Sequence, residues 1–335
     1  MKKLSCVELF AGAGGMALGM ERAGFEVAAL IDNDPYACST LMANRPEWSV
    51  VQKDVSNIDY RGYAWVNLVC GGYPCQSWST AGKRKGFEDP RGQLCFEMSR
   101  AVGEIMPEAF VAENVENLAR HDGGRTLEKI LSSIPEGYTV SHKVLNAADH
   151  GVPQKRKRLF IVGFLKIDDF DRFRWPEIPV AGCMPYTMAD ALKADGIYKN
   201  DCPDSPGAQY PSRKKSFLEL VPPGGCWRDL PDGIREAYMG NSLKQGGGKT
   251  GMARRLSWDE PCLTLTCSPA QRQTERCHPD ETRPLTVREY ARVQTFPDDW
   301  EFVGPVGEQY RQIGNAVPCL LAKAIGKELK KTLED

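Results

Sequence analysis

The alternation of strand-like and helix-like segments through residues 5–112 is the feature that most constrains the fold. The strand-like apolar runs cover residues 5–10, 26–31, 66–70 and 109–112, and the segments of helical period cover residues 16–23, 35–44 and 94–106. This order predicts parallel β–α–β units in an open, doubly wound, mostly parallel α/β sheet. A sheet of this kind carries its functional groups beyond the carboxyl ends of its strands.

Polar and reactive residues stand at those predicted strand ends. A glycine-rich turn follows the first strand, Asp32 ends the second, and Asp54 follows a short apolar pair. Cys75 lies in a polar, basic stretch after the next strand, and Glu113 follows the last. Because the carboxyl ends of parallel strands meet at one edge of the sheet, we expect all five features to face one crevice.

Composition sets the class of protein but not its partner. A chain of 335 residues suggests about two domains, and 41% apolar residues are enough for a sizeable core. The net charge of −1 means that any affinity for nucleic acid must come from local clusters of charge. Twelve irregularly spaced cysteines without a secretory leader predict reduced thiols in a cytosolic protein. The sequence has no apolar run of the ~20 residues that a bilayer requires.

A change of texture near residue 195 indicates a second domain. Proline, glycine and polar residues dominate beyond that point, and few clean periods remain. We therefore predict a smaller, irregular or β-rich domain at residues 196–285 and a hinge at residues 286–313. The catalytic and cofactor-binding domain would comprise residues 1–195 and 314–335.

The turn Gly12-Ala13-Gly14-Gly15-Met16-Ala17 fits the pattern G-x-G-x-x-G/A between a strand and a helix. Asp32 stands 20 positions after Gly12, the spacing of an acid that binds a ribose. Glycines allow a close approach of the backbone, and a helix N-terminus favours negative charge. A nicotinamide cofactor fits this pattern, and so does S-adenosylmethionine. A nicotinamide enzyme would leave the cysteine in the basic loop unexplained.

Six motifs in one order carry a resemblance to a known family. They are Phe10-Ala11-Gly12-Ala13-Gly14-Gly15, Tyr73-Pro74-Cys75-Gln76, Glu113-Asn114-Val115, Gln154-Lys155-Arg156-Lys157-Arg158, Arg283-Pro284-Leu285-Thr286-Val287-Arg288-Glu289 and Gly314-Asn315-Ala316-Val317-Pro318. Together they resemble the DNA (cytosine-5) methyltransferases, of the prokaryotic restriction-modification type, along nearly the whole chain. The resemblance implies a Rossmann-like domain that depends on S-adenosylmethionine, with the second domain recognising the DNA target.

The resemblance also implies the catalytic residues. The Cys75 thiolate would add to carbon 6 of cytosine, so that carbon 5 can accept the methyl group. Glu113 would supply or share a proton at ring nitrogen 3, a contribution typically worth ~10²- to 10⁴-fold. We expect Arg158 to bind the cytosine carbonyl oxygen and Arg156 to support the catalytic loop or a phosphate, since alternate residues of a strand share a face.

The cofactor contacts implied by the family map onto twelve residues. They are Phe10, Gly12, Gly14, Gly15, Asp32, Asn33, Asp54, Val55, Pro74, Leu94, Asn315 and Ala316. Asp32 would hold the ribose hydroxyls, and Asp54 with Val55 would meet the adenine edge. Two positions depart from the family pattern: Asp32-Asn33 replaces a glutamate and a large apolar residue, and Ala316 replaces a common serine.

The target carbon is stacked inside a duplex, so the cytosine must be flipped out. The loop at residues 77–92 resembles a lid that closes on the site. Candidate DNA contacts are Gln76, Ser79, Lys83, Arg84, Lys244, Gln245, Lys249, Arg254, Thr264 and Arg272; the stretch 268–276 also carries Gln271 and Gln273. We predict no metal site, because the cysteines near His278 lack the paired spacing of zinc ligands.

The expected partners follow from the same resemblance. They are double-stranded DNA and a cognate restriction endonuclease that acts on the same site without being a stable subunit. We expect a monomer in the prokaryotic cytoplasm, without a membrane partner. Three alternatives remain open from the sequence: a relative that methylates tRNA, a nicotinamide oxidoreductase, and a binding module without catalysis.

Overall fold

The computed structural model describes residues 3–74, 90–178, 185–244 and 251–334. By their internal contacts the residues divide into two compact units. Unit 1 comprises Met1–His150, Lys157–Ala181 and Ala316–Asp335, and unit 2 comprises Gly151–Arg156 and Gly182–Asn315.

The elements follow one another along the chain. The strands are β1 (Ser5–Leu9), β2 (Glu26–Asp32), β3 (Val50–Gln52), β4 (Leu68–Gly71), β5 (Ala109–Val115), β6 (Thr139–Asn146), β7 (Gln154–Lys155), β8 (Lys157–Phe164) and β9 (Cys262–Leu263). The helices are α1 (Gly15–Ala23), α2 (Pro35–Asn44), α3 (Leu94–Ile105), α4 (Arg125–Leu131), α5 (Ile167–Arg172), α6 (Met188–Leu192), α7 (Ser212–Leu218), α8 (Asp232–Met239), α9 (Asn241–Lys244), α10 (Val287–Val293), α11 (Val306–Asn315) and α12 (Cys319–Glu334).

Unit 1 is built on a seven-stranded sheet with the order β3-β2-β1-β4-β5-β8-β6. The first five strands pair in parallel, whereas β8 is antiparallel to both of its neighbours. The predicted α/β class with a mostly parallel sheet is thereby confirmed. The strand order reverses between β1 and β4, and a reversal of this kind opens a crevice beyond the carboxyl ends of the two strands.

Helices α1 and α12 pack closely through their glycines. A Cβ on Gly19 would lie 2.3 Å from the Cβ of Ala322, and one on Gly326 would lie 2.8 Å from the Cβ of Ala23. Such short distances leave no room for a side chain, so the two glycines allow the backbones to approach. The last helix of the chain belongs to unit 1.

Two features of the sheet differ from the sequence prediction. Strand β5 continues to Val115, so Glu113 lies inside the strand rather than after it. Strand β6 was not predicted, because its middle residues are exposed and polar and it lies at the edge of the sheet. An edge strand with one solvated face has a weak apolar pattern.

Unit 2 contains mainly helices and irregular segments. Its described residues form helices α6 to α11, and β7 pairs in parallel with β9 over two residues each. The described residues of unit 2 are not β-rich, and the predicted recognition domain at residues 196–285 stays a prediction. Unit 2 also contains residues 185–195, assigned from the sequence to the catalytic domain, and residues 286–313, assigned to a hinge. The functional division of the chain into domains stays a prediction.

Buried arginines stabilise unit 2. The guanidinium of Arg255 donates to the carbonyls of Val221 and Leu218 at 2.7 Å each and to the Thr282 hydroxyl. Arg292, which is fully buried, forms an ion pair of 2.6 Å with Asp298. An arginine can be buried at moderate cost when its donors are satisfied in this way.

Candidate active site

The glycine-rich turn after β1 has the backbone that a ligand-binding turn requires. Phe10, Gly12 and Gly14 have φ angles of 57°, 53° and 82°, in the left-handed region. This conformation is ordinary for glycine but strained for phenylalanine, and such strain is concentrated at functional sites. Gly14 precedes α1 without a side-chain cap, and in the first helical turn the Ala17 amide bonds the Glu8 carboxyl.

The Asp32 carboxylate is bound to this turn. Its Oδ2 accepts a hydrogen bond of 2.7 Å from the Gly12 amide, and its Oδ1 accepts one of 2.8 Å from the Asp34 amide. Burial raises the pKa of Asp32, and these two amides partly oppose that shift. The Asn33 amide also bonds this carboxylate, whose two oxygens together can accept about four hydrogen bonds. Asp32 therefore fixes the turn and can also accept hydrogen bonds from a ribose.

Asn33 and Asp54 lie close together at the ends of β2 and β3. Hydrogen bonds from the Ser56 hydroxyl and amide lower the pKa of Asp54, and the side chain of Asn33 adds to this shift. Val55 is buried directly after Asp54. An acidic acceptor beside an apolar surface suits the amino edge and the face of an adenine ring.

An apolar cluster of unit 1 contains three of the predicted cofactor residues. Val55 belongs to the buried core of this cluster, and the half-buried Phe10 and Leu94 pack against it. Pro74 is half-buried after β4, and Ala316 is nearly buried before α12. Asn315 belongs to unit 2, where its Oδ1 accepts a hydrogen bond of 3.1 Å from the Cys267 thiol.

Glu8 is a buried carboxyl that the sequence analysis missed. It lies in β1, two residues before Phe10, and only 3% of its surface is exposed. Burial raises the pKa of Glu8 well above its ordinary value, whereas the Ala17 amide lowers it. The sequence signal that could have revealed Glu8 is an acidic residue within an apolar strand.

The pair formed by Glu113 and Arg158 is the main polar feature at the β5 end of the sheet. Arg158 Nε lies 2.9 Å from Glu113 Oε1, and the side chains are only 14% and 10% exposed. In the antiparallel register Arg158 faces Val115, so Glu113 and Arg158 are diagonal neighbours on one face. The two predicted residues are therefore brought together, although their catalytic roles stay predictions.

Two further residues position this pair and were not predicted. A Cβ on Gly72 would lie 2.9 Å from Glu113 Oε2, so only glycine leaves the carboxylate its present place. The buried Asn114 donates a hydrogen bond of 3.0 Å to the Tyr73 carbonyl. The residues after β4 are thus fixed against the end of β5. Asn114 is part of the Glu113-Asn114-Val115 motif, but the alternation of residues along a strand does not reveal a hydrogen bond to the segment after a neighbouring strand.

Arg156 does not have the environment that was predicted for it. It is 1% exposed and donates to the carbonyls of Leu265 at 3.1 Å and Gly314 at 3.0 Å, all within unit 2. A guanidinium buried on backbone carbonyls is unavailable to a phosphate. Strand β8 begins at Lys157, so Arg156 lies outside it and strand alternation does not by itself place the two arginines on one face. The crevice shared by Arg156 and Arg158 stays a prediction.

The predicted DNA contacts fall into two groups. Cys75, Gln76, Ser79, Lys83, Arg84, Gln245 and Lys249, together with the side chain of Lys244, lie outside the described residues. Of the others, Arg254 is 14% exposed and lies 3.6 Å from Glu260. The Thr264 hydroxyl donates to the Lys155 carbonyl at 2.7 Å.

Arg272 makes hydrogen bonds within unit 2. Its guanidinium donates to the carbonyls of Tyr238 and Met239 at the end of α8. An arginine at this place satisfies carbonyls that the helix leaves unpaired. Arg272 thus has a structural contact, and its predicted contact with DNA stays a prediction.

The described residues contain neither a cluster of metal ligands nor a membrane-spanning helix. Among these residues, no three or more His, Cys, Asp or Glu side chains are grouped so as to hold a metal ion. No helix in the same ranges has the length and hydropathy needed to cross a lipid bilayer.

Comparisons with known proteins agree with this geometry. The sequence profile of the family described as C-5 cytosine-specific DNA methylase matches residues 4–331. Type II methyltransferase M.PspPI of Psychrobacter sp. is 56% identical over 99% of this chain and 80% of its own length. Type II methyltransferase M.Eco47II of Escherichia coli is 55% identical over 98% of this chain and 79% of its own.

Solved structures show the same fold. A DNA modification methyltransferase encoded within an E. coli prophage has a TM-score of 0.70 and 28% identity, with 99% of this chain and 100% of that chain covered. These similarities favour DNA as the substrate over the tRNA alternative. The chain belongs to the C-5 cytosine-specific DNA methylase family and is a DNA cytosine-5-methyltransferase.

Proposed function

We propose that the chain methylates carbon 5 of a cytosine flipped out of a specific duplex site, through a covalent adduct between Cys75 and carbon 6. The main support is the Glu113–Arg158 pair, with Gly72 and Asn114 fixing the segment that leads to Cys75 against it. The cysteine follows Gly72 by three residues. A thiol, a carboxyl and a guanidinium are the three groups that addition to a cytosine ring requires.

The side chains divide the chemistry among them. The Cys75 sulfur forms a bond to carbon 6 while Glu113 provides a proton at nitrogen 3, and the ring becomes an enamine that is nucleophilic at carbon 5. Arg158 donates through Nε to Glu113 and through Nη1 to the Lys157 carbonyl, so the remaining guanidinium donors are available to the cytosine carbonyl oxygen. After methylation, water or hydroxide takes the proton from carbon 5, and the electrons of that bond re-form the carbon 5–carbon 6 double bond as the sulfur leaves carbon 6 as a thiolate. The proton on nitrogen 3 returns to Glu113.

The cofactor of this reaction is S-adenosylmethionine, which supplies a methyl group on a sulfonium. The residues after β1, β2 and β3 fit it: a left-handed glycine turn, the Asp32 carboxylate and Asp54 beside a buried valine. Asp32 would accept from the ribose and Asp54 from the adenine amino group. Phe10, Pro74 and Leu94 would line the apolar side, with Ala316 and Asn315 completing the set.

The wider setting follows from the relatives. The curated relatives are named Type II methyltransferases of bacteria, which supports a role in restriction-modification. We infer that a nuclease acting on the same site accompanies the enzyme, that the enzyme acts as a monomer on DNA in the cytoplasm, and that unit 2 reads the target sequence.

A trapping experiment tests the proposed chemistry. Duplex DNA with 5-fluorocytosine at the target position should form a permanent adduct with the wild-type protein, because fluorine cannot leave as the proton does. The adduct should map to residue 75 and be absent from Cys75→Ser, while Cys202→Ser, which removes a half-buried thiol of unit 2, should form it normally.

Bisulfite sequencing of DNA from cells that express the protein identifies the methylated cytosines and therefore the target site. An adduct at another residue, or methylation of cytosine by Cys75→Ser at the wild-type rate, would refute the mechanism. Methylation of tRNA without methylation of DNA would refute the substrate.

A further inference from the structure

An arginine of α3, Arg100, bonds the segment that carries the proposed adenine contacts. Its Nη2 donates a hydrogen bond of 2.7 Å to the Val55 carbonyl, and its Nη1 donates one of 2.9 Å to the Ile58 carbonyl. Val55 begins the short 3-10 helix Val55–Asn57, which the Asp54 side chain caps, and Ile58 directly follows that helix. The planar fork of one guanidinium therefore holds the backbone at both ends of this turn.

Two glutamates of the same helix orient the guanidinium. Glu97 accepts hydrogen bonds of 2.9 and 2.7 Å from the Nε and Nη2 of Arg100, and Glu104 accepts one of 2.8 Å from Nη1. Glu97 lies three residues before Arg100 and Glu104 lies four residues after it, so the three side chains share one face of α3. The arginine is therefore already directed toward the turn before any ligand binds.

The buried Tyr60 completes this set of contacts. Its hydroxyl donates to the Val55 carbonyl at 3.2 Å, and its amide donates to Glu104 Oε2 at 2.9 Å. The Arg100 guanidinium lies over the Tyr60 ring, 4.7 Å from the centroid, where the face of the ring attracts a cation. Because the Ile58 amide also bonds the Val55 carbonyl, at 3.3 Å, donors from three residues converge on one backbone oxygen.

The turn that these donors hold provides both the polar and the apolar part of the proposed adenine site. Val55 is buried in an apolar cluster against which Leu94, the first residue of α3, packs. Arg100 thus ties together the two elements that carry these apolar side chains. Asp54 Oδ1 accepts from the Ser56 amide at 2.9 Å and from its hydroxyl at 2.6 Å, so the direction of this carboxylate also depends on the turn.

We propose that Arg100 is a positioning residue for cofactor binding, which holds Asp54 and Val55 in the places where they meet the adenine ring of S-adenosylmethionine. This inference rests on the proposed role of those two residues. All five donors of the guanidinium bond acceptors of the protein, so Arg100 acts through the turn. The adenine ring is remote from the transferred methyl group, so the contribution falls on binding and not on the chemical step.

The test compares Arg100→Ala with Arg100→Lys. Arg100→Ala should raise the KM for S-adenosylmethionine and the Kd of S-adenosylhomocysteine, measured by calorimetry, about tenfold, with kcat at saturating cofactor within about twofold of wild type. Arg100→Lys keeps a cation beside the two glutamates but lacks the fork that reaches both carbonyls. It should therefore recover most of the melting temperature that Arg100→Ala loses, without recovering the affinity for either ligand.

Arg45→Ala is the matched control. Arg45 is also an arginine of unit 1, its side chain is 29% exposed against 32% for Arg100, and it bonds Glu21 and the Asn44 carbonyl at the end of α2. Its removal should leave the KM and the Kd unchanged. Wild-type affinity in Arg100→Ala, or affinity fully restored by Arg100→Lys, would overturn the inference while leaving the proposed reaction intact. A wild-type protein that binds no S-adenosylmethionine would overturn both proposals.

Discussion

Gly72→Ala is the most direct test of how the Glu113 carboxylate is positioned. Gly72 is outside the left-handed region, so alanine can adopt its backbone conformation without strain. The new methyl group would lie 2.9 Å from Glu113 Oε2, however, and ordinary contacts begin near 3.4 Å. The carboxylate must therefore move by about half an ångström, although Arg158 holds its other oxygen at 2.9 Å.

The size of the effect follows from that displacement. A misplacement of 1 Å in a catalytic group can cost about 10²-fold, so half of that distance should lower kcat roughly tenfold. A tenfold change corresponds to about 1.4 kcal/mol of transition-state stabilisation. Stability should change little, because replacing glycine by alanine restricts the unfolded chain by about 0.4–1 kcal/mol and offsets part of the weakened ion pair.

The assay is single-turnover methylation of a duplex that carries the wild-type target site, together with thermal unfolding of each variant. Gly62→Ala is the matched control, since no atom lies within 4 Å of the added methyl group. A rate for Gly72→Ala within twofold of wild type would refute the reasoning. An equal loss of rate in both variants would show that the effect is unrelated to Glu113.

Three further predictions concern stability. Arg156→Ala removes two charge-assisted hydrogen bonds, each worth about 1.5–3 kcal/mol. It should therefore lower the free energy of unfolding, measured in urea, by about 3 kcal/mol or more. An unchanged urea midpoint of unfolding would contradict the structural role of Arg156. Lys214→Met should lower the free energy of unfolding by about 3–5 kcal/mol, because it leaves the Glu275 carboxylate buried without its cation. Adding Glu275→Gln should recover part of that loss. Additive losses of unfolding free energy in the double variant would argue against the ion pair. Burial lowers the pKa of His278, whose Nδ1 accepts from the amides of Asp280 and Glu281, so the unfolded chain binds the proton at higher pH and stability should fall as pH decreases through about 6.5. His278→Asn should reduce the difference in unfolding free energy between pH 7 and pH 5, and an unaltered pH dependence would refute this assignment.

The cofactor turn shows what sequence can predict about the site. Gly12 and Gly14 indicate a left-handed backbone conformation, because glycine adopts it without strain. The spacing of 20 residues between Gly12 and Asp32 can be read directly from the sequence. The alternation of strands and helices likewise predicted the parallel part of the sheet. These features depend on short stretches of chain, so they can be inferred without tertiary contacts.

The arginines show where such inference fails. Arg158 has one predicted neighbour, Glu113, but Arg156 and Arg272 bond backbone carbonyls that are distant in sequence. The sequence does not distinguish an arginine that bonds a backbone carbonyl from one that binds a DNA phosphate, because both are cationic residues in polar segments. Only the fold decides which donors are already satisfied. Strand β6 escaped prediction for a related reason, since its half-exposed edge position leaves no clear apolar period.

Arg156 belongs to unit 2, where it bonds the Gly314 carbonyl, and Arg158 belongs to unit 1, where it pairs with Glu113. Only Lys157 separates them. One residue inserted between them would leave Arg156 on its carbonyls but rotate the start of β8, so that Arg158 would face away from Glu113. A deletion would have the same result. The junction therefore tolerates substitution at Lys157 far better than any change in length, and a library that joins one family member's catalytic unit to another's second unit should preserve this count of residues.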